Sequence, residues 1–436
     1  MSTRTKGNVN LNRKPLRYAF PYDSIAPVEI TASHPVEVYT VRRVDEVHER
    51  PESLVTTSLA SPIGMSRLSQ LVNPDSRILI IVDDMSRPTP LHQILPPLLA
   101  ELARGGARDA NIRFLVALGT HRRMTGQEIA TKLGPVTGAR FRVINHEWDN
   151  PAELHDYGML DDTRVVLNRA MHESNVVIGV GSIAPHPAAG FSGGGKIIAP
   201  GVATAGAVGK FHWQSVHYAQ KDVLGVRDNP MRERIDRMAR MAGLTAIVNV
   251  VLDGKGRIVR CFSGDMVEAH RAGCDVAGEF YRVEIPNPET ADIFIIDTHP
   301  LDQDLWQGVK AMCALECVVP NGAVVIVVTP APEGVSRQHP GVLEFGYRCL
   351  AAAEALVEAG RLDRVTAHNI VQGGKLVERT QAFMVSPGIT HEEIRLLGFT
   401  PFPSVQDALI EAARRKGISA RVIILGMGGE ICPVAA

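Results

Sequence analysis

The sequence predicts two α/β domains with largely parallel sheets and an active site in the interdomain cleft. Three observations carry the two-domain, parallel-sheet part of that prediction. At 436 residues the chain exceeds what one hydrophobic core usually supports. Short β-branched runs alternate with helical stretches, the pattern of a sheet covered on both faces. The alternation stops at the proline-rich junction Ile285-Pro286-Asn287-Pro288 and then restarts. The expected division is residues 1–285 and 286–436, the second part closing over the site and the last residues free to return to the first domain.

In chain order, the first twenty residues read as a loose arm. Residues 78–82 (ILIIV) form a strand ending at Asp83-Asp84, and 90–104 a leucine-bearing helix. Residues 114–118 (FLVAL) run into Gly119-Thr120-His121, and 175–180 (NVVIGV) into Gly181-Ser182. Each strand thus ends in polar residues, where open α/β sheets bind ligands. Past the junction come a strand over 293–296, a helix from 302 to about 317, a strand over 323–328, a long helix over 345–360 and a strand over 421–425. There is no repeat at a fixed period and no low-complexity segment.

Apolar content of 45% and charged content of 21% describe an ordinary globular protein. A net charge of −1 argues against nucleic acid as a partner, which calls for a concentrated basic surface. The longest apolar runs are too short to cross a bilayer. Residues 1–17 are basic and polar with no apolar h-region. The six cysteines form no CxxC pair and read as reduced thiols. The expectation is a cytoplasmic protein with no membrane partner.

The most informative segment runs from Pro185-His186 through Ser192-Gly193-Gly194-Gly195-Lys196, with His212 downstream. Three glycines permit positive φ and close approach around one lysine. The spacing imitates a phosphate-binding GxxxxGK loop, but Ile197 stands where a Mg²⁺-ligating Ser or Thr belongs. The amides of Ser192 to Gly195 remain candidates to cradle one phosphate. His212 reads either as a soft-metal ligand or as a helix histidine packed beside Trp213. No HxH, HExxH or cysteine pair accompanies it, so a metal there needs ligands from a cofactor.

Two further segments follow strand ends. Asp84 to Pro90 reads as a helix start capped by Thr89 with a surface Arg–Asp pair, or as Arg87 poised to clamp a carboxylate or phosphate. His121 is a solvated residue or a proton carrier near neutral pH. In the second domain, Gln307 and Lys310 lie three apart on one helix face, either solvated or binding an anion. His146, His155, His172, His217 and His270 read as surface or satisfied core residues.

Taken together, Asp84-x-x-Arg87, Gly119-Thr120-His121-Arg122, Pro185-His186 to Lys196, His212 and Gln307-x-x-Lys310 resemble the nickel-dependent lactate racemase family. The resemblance runs from about residue 20 to the C-terminus. It implies a nickel-pincer nucleotide, a pyridinium mononucleotide whose Ni²⁺ binds one ring carbon, two sulfurs and one protein histidine. By position that histidine is His212, and Lys196 is the thioamide tether. His121 and His186 become the acid/base pair. Arg87 and Lys310 hold the substrate carboxylate with help from Gln307, and Asp84 supports Arg87 or the cofactor. The implied reaction is racemisation or epimerisation of a 2-hydroxy acid. Cofactor-making proteins and a second copy of the chain are the implied partners.

The α C–H of a 2-hydroxy acid is poorly acidic, so hydride transfer beside two bases suits the inversion. One departure stands out: Trp306 occupies the place of an expected tyrosine, which puts a longer, apolar or sugar-derived acid on an equal footing with lactate. Arg122-Arg123 reads as solvated or as a clamp for a second carboxylate. A nicotinamide-type 2-hydroxy acid oxidoreductase would need a GxGxxG after a strand, which is not found. A non-catalytic cofactor carrier or sensor would bind without turnover.

Overall fold

A computed structural model describes residues 15–31, 33–42 and 49–436. Most of the expected N-terminal arm, up to residue 14, lies outside the described residues. The chain forms two compact units. One comprises Arg42–Gln214 and Gly225–Phe280 and carries Lys196; the other comprises Met1–Val41, Ser215–Leu224 and Tyr281–Ala436 and carries Lys310.

The division therefore differs from a single switch at residue 285. Strand Val36–Tyr39 pairs in parallel with Val422–Leu425, which draws the N-terminal segment into the Lys310 unit. The last residues stay in that unit too, because Cys432–Ala435 pairs in parallel with Arg282–Ile285. Neither partnership leaves a local signal, since the paired segments lie far apart in sequence.

The Lys196 unit holds a six-stranded sheet in the order 258–264, 246–252, 176–182, 78–83, 112–117, 142–145. All neighbours are parallel except Ile258–Gly264 against Ala246–Leu252. Strands Ile78–Asp83 and Val176–Ser182 are buried at every position, hence their continuous apolar runs. Helix Leu91–Arg104 covers the sheet with Leu91, Ile94, Leu95, Leu98 and Leu102, the spacing of one apolar helical face. From 78–83 the chain moves outward through 112–117 and 142–145, then returns to the opposite side with 176–182 and 246–252. The order reverses between 78–83 and 176–182, and such a switch point opens a crevice at the carboxyl ends of the strands.

The Lys310 unit has its own six-stranded parallel sheet, in the order 400–401, 381–385, 324–328, 293–297, 422–425, 36–39. The expected long helix over 345–360 is broken. Gly341–Phe345 ends at Gly346, whose φ of 66° suits glycine, and a new helix spans Leu350–Glu358. Among the described residues no helix is long and apolar enough to cross a membrane.

Candidate active site

The polar residues past the three adjacent strand ends meet at the switch point. Asp83 closes strand 78–83 and is buried. Thr89 does not cap the following helix, whose N-cap is Pro90 with no side-chain cap. Its hydroxyl instead donates to Asp83 Oδ2 at 2.5 Å and meets Ser182 Oγ at 3.0 Å, tying the loop to both central strands. The buried Lys132 completes the fastening: Nζ lies 3.1 Å from Asp83 Oδ1 and donates to the carbonyls of Arg87 (2.6 Å) and Thr89 (3.2 Å). Lys132→Met removes the charge partner of a buried carboxylate and is expected to cost about 3–5 kcal/mol in urea unfolding. A loss below 1 kcal/mol would show that the loop is held elsewhere.

Asp84 follows on the same loop. Its Oδ2 faces His121 Nδ1 at 2.7 Å, and its Oδ1 accepts from Ser86 N at 3.1 Å and Ser86 Oγ at 2.5 Å. Burial alone would push this carboxyl up. The charge of His121, its hydrogen bond, the Ser86 hydrogen bond and the charge of Arg87 together outweigh burial and hold it well below the usual carboxylate range. Asp84 is thus the direct hydrogen-bond partner of His121. With Nδ1 facing Asp84, Nε2 is the ring nitrogen on the side away from that carboxylate. The two arginines beside His121 are occupied internally: Arg122 forks onto Glu128 at 2.7 and 3.0 Å, and Arg123 pairs with Glu147 at 3.2 Å. The clamp for a second carboxylate is therefore spent on the chain's own acids.

The loop past strand 176–182 begins with a tight hairpin in which Pro185-His186 pairs with Gly190-Phe191. His186 is buried, and its Nδ1 accepts from Ala188 N at 3.2 Å. The predicted amide cradle is largely committed to the protein itself. Ser192 N donates to Ala184 O at 2.8 Å, and Gly194 N to Asn249 Oδ1 at 2.8 Å. The glycines answer to internal packing: Gly193 has φ of 75°, and a Cβ there would lie 2.8 Å from Asn249 Oδ1.

The loop then tightens into the turn Gly194–Ile197, which carries the half-buried Lys196. Burial, then the charges of Arg87 and Arg232, push this amine well below the usual lysine value, with Asp84 opposing. The result favours a neutral, nucleophilic amine. The turn is tied toward His121 through the backbone, since Gly201 N donates to Lys196 O at 3.3 Å and Gly119 N to Gly201 O at 2.8 Å.

That lowered value has a linkage consequence. The unfolded lysine binds a proton that the folded one resists, so apoprotein stability is fullest above the ordinary lysine value, about 10.4, and falls as pH drops toward the folded value. Lys196→Met lacks this loss. Its melting temperature is expected to exceed that of the wild-type apoprotein increasingly as pH falls from 10 toward neutrality. Parallel melting curves across that range would contradict the assignment.

His212 lies on helix Ala205–Ser215, its ring 5.6 Å from that of Phe211. Among the described residues no group of three or more His, Cys, Asp or Glu is arranged to hold a metal ion. His146 and His270 are buried core residues; His146 Nε2 meets Ala203 O at 3.0 Å and its Nδ1 meets Asn168 Nδ2 at 3.2 Å.

In the Lys310 unit, helix Leu305–Glu316 starts on an Asp304 cap that accepts from Gln307 N at 2.9 Å. Lys310 Nζ donates to Gln307 Oε1 at 2.8 Å, so the two predicted residues act as one polar pair. The Trp306 indole stacks on His339 at 3.8 Å with planes 10° apart, and its carbonyl accepts from Asn369 Nδ2 at 3.0 Å.

Comparison with known proteins decides the lineage. Residues 23–223 match the lactate racemase N-terminal domain, and residues 287–431 the lactate racemase C-terminal domain. The lactate racemase of Lactiplantibacillus plantarum is 34% identical over 321 residues, 72% of this chain and 74% of that protein. The chain belongs to the lactate racemase family. It is accordingly an isomerase, a racemase. The lactate racemase of Thermoanaerobacterium thermosaccharolyticum is 34% identical over 295 residues, 66% of this chain and 68% of that protein. The solved lactate racemase apoprotein from that organism superimposes with a TM-score of 0.85 at 26% identity, covering 96% of this chain and all of the other. A Thermotoga maritima crystal structure shares the fold at a TM-score of 0.71 and 20% identity, covering 90% of this chain and all of that one.

Sequence reasoning missed the residues that hold this racemase's loops. Asn249 left a signal, a lone amide in the apolar strand Ala-Ile-Val-Asn-Val-Val-Leu. Lys132 and Arg232 left none, because a buried cation on a helix looks like an exposed one in sequence.

Proposed function

We propose that this racemase inverts C2 of a 2-hydroxy acid, using a nickel-pincer nucleotide tethered to Lys196 and coordinated by His212. The observation that carries the reading is the half-buried Lys196 with its depressed amine, tied through backbone to the segment of the Asp84–His121 pair. These residues fit such a group. A covalent tether needs a neutral amine, and Lys196 is held toward that form. A single imidazole on the 205–215 helix suits a metal whose other ligands arrive with the nucleotide. When bound, the nucleotide supplies the electrophile for the α-hydrogen.

The chain's own residues handle the remainder. His121 Nε2 takes the substrate hydroxyl proton, and Asp84 stabilises the imidazolium that forms. His186 serves the opposite orientation of the substrate. Arg87 holds the carboxylate, and the Gln307–Lys310 pair is a second anion-binding group. Trp306, fixed by its stack on His339, forms a wall larger than a tyrosine, and the preferred substrate is correspondingly a longer, apolar or sugar-derived acid. Cofactor-making proteins supply the nucleotide, a second copy of the chain completes a dimer, and the six free thiols suit a reducing cytoplasm.

A chirality assay over enantiopure 2-hydroxy acids tests this, using protein produced with the cofactor-making machinery. Racemisation of one or more acids, with nickel and an adduct on Lys196, is expected. Turnover with no adduct on Lys196 would overturn the tether.

A further inference from the structure

Helix Pro230–Met241 begins with the Asn229 cap and carries Arg232, one of the largest fully buried side chains in the chain. Its guanidinium is spent on one loop. Nε donates to Ala189 O at 3.3 Å, Nη1 to Gly193 O at 3.2 Å, and Nη2 to Phe191 O. The carbonyl between the last two, Ser192 O, meets His270 Nε2 at 2.9 Å. The countercharge is thin: Asp236 Oδ1 lies 3.8 Å from Nη1, and Asp236 is shared with Arg271 at 2.9 Å. Burying a cation under such a partner is costly, and an apolar side chain would fill a helix–loop contact at less expense. The Lys196 turn packs on the same helix, since a Cβ at Gly195 would lie 2.8 Å from Ala239 Cβ and 3.3 Å from Ile235 O.

We propose that Arg232 is the positioning residue for cofactor attachment: it grips the carbonyls of Ala189, Phe191 and Gly193, so fixing where Lys196 presents its amine, and it stands as a permanent positive charge near that amine. The inference rests on the reading of Lys196 as the tether. The charged groups acting on the amine are Arg87 and Asp84 from the 83–90 loop and Arg232 from the 230–241 helix; Asp236 adjoins Arg232 and is shared with Arg271. Burial depresses the amine most, followed by Arg87 and Arg232. Attachment to any acyl donor needs the nitrogen lone pair. The N–C bond forms, the leaving group departs with its electron pair, and the amine loses its proton to solvent.

The test uses the apoprotein, acetic anhydride at graded pH, and peptide mass spectrometry, with the exposed Lys255 as internal reference. In Arg232→Met the midpoint of Lys196 acetylation is expected to rise by about one pH unit, a roughly tenfold slower reaction at neutral pH. Arg232→Lys keeps the charge and is expected to keep the midpoint while lowering the rate at every pH. Asp236→Asn is expected to move the midpoint down, and it decides the matter if Arg232→Met fails to fold. Equal midpoints in wild type and Arg232→Met, an equal rise in Arg232→Lys, or no change in Asp236→Asn would each overturn the proposal. Because no cofactor is involved, these outcomes are separate from the finding that would sink the tether itself, a protein made with the cofactor machinery that carries no adduct.

Discussion

Lys196→Ala is expected to abolish racemisation outright while leaving the apoprotein folded. The side chain is half-buried in a turn braced by other residues, so its loss removes chemistry rather than support. Lys196→Arg separates charge from nucleophilicity. A guanidinium stays protonated and cannot form the thioamide, so the arginine variant should be equally inactive. Intact-mass measurement of protein made with the cofactor machinery should show an adduct on the wild type and none on either variant. Full turnover by the arginine variant would mean that the cofactor, if any, is held without a covalent bond to this position.

The second large effect is expected at Asp84. Asp84→Asn keeps the shape but removes the charge that stabilises a protonated His121, and kcat should fall by about 10²–10⁴-fold with little change in KM. His121→Ala should lose a similar amount. Residues that work as a unit are non-additive, so the double variant should be no worse than His121→Ala alone. Multiplying losses would show that Asp84 acts independently, for instance through Arg87. Asp84→Glu offers a rescue arm, since a carboxylate restored within reach of Nδ1 should recover part of kcat.

Much of this arrangement was legible in the sequence. Apolar runs such as 78–82 announced buried parallel strands because both sheet faces are covered. The polar residues after them announced a ligand site because those residues gain nothing by folding as strand. That reasoning singles out Asp84, Arg87 and His121, though not the hydrogen bond that joins the first and last. Thr89 was misread as a cap, since a threonine before a helix is usually explained locally, and its two partners are six and ninety-three positions away. The glycines read as close approach around one lysine, and the neighbours that approach Gly193 and Gly194 are Asn249 and His270 from distant segments. The long helix over 345–360 failed at Gly346, where one positive φ outweighed a favourable alanine-rich run.

The pairing of residues 36–39 with 422–425 bears on how the molecule is made. As the chain leaves the ribosome, the strand at 36–39 waits for a partner synthesised far later, while every strand of the Lys196 unit's six-stranded sheet is already available. The polypeptide passes between units four times, so no single cut yields two self-sufficient fragments. A piece beginning at 286 would lack the strand at 36–39 and bare the edge at 422–425, an invitation to aggregate that the 36–39 pairing removes.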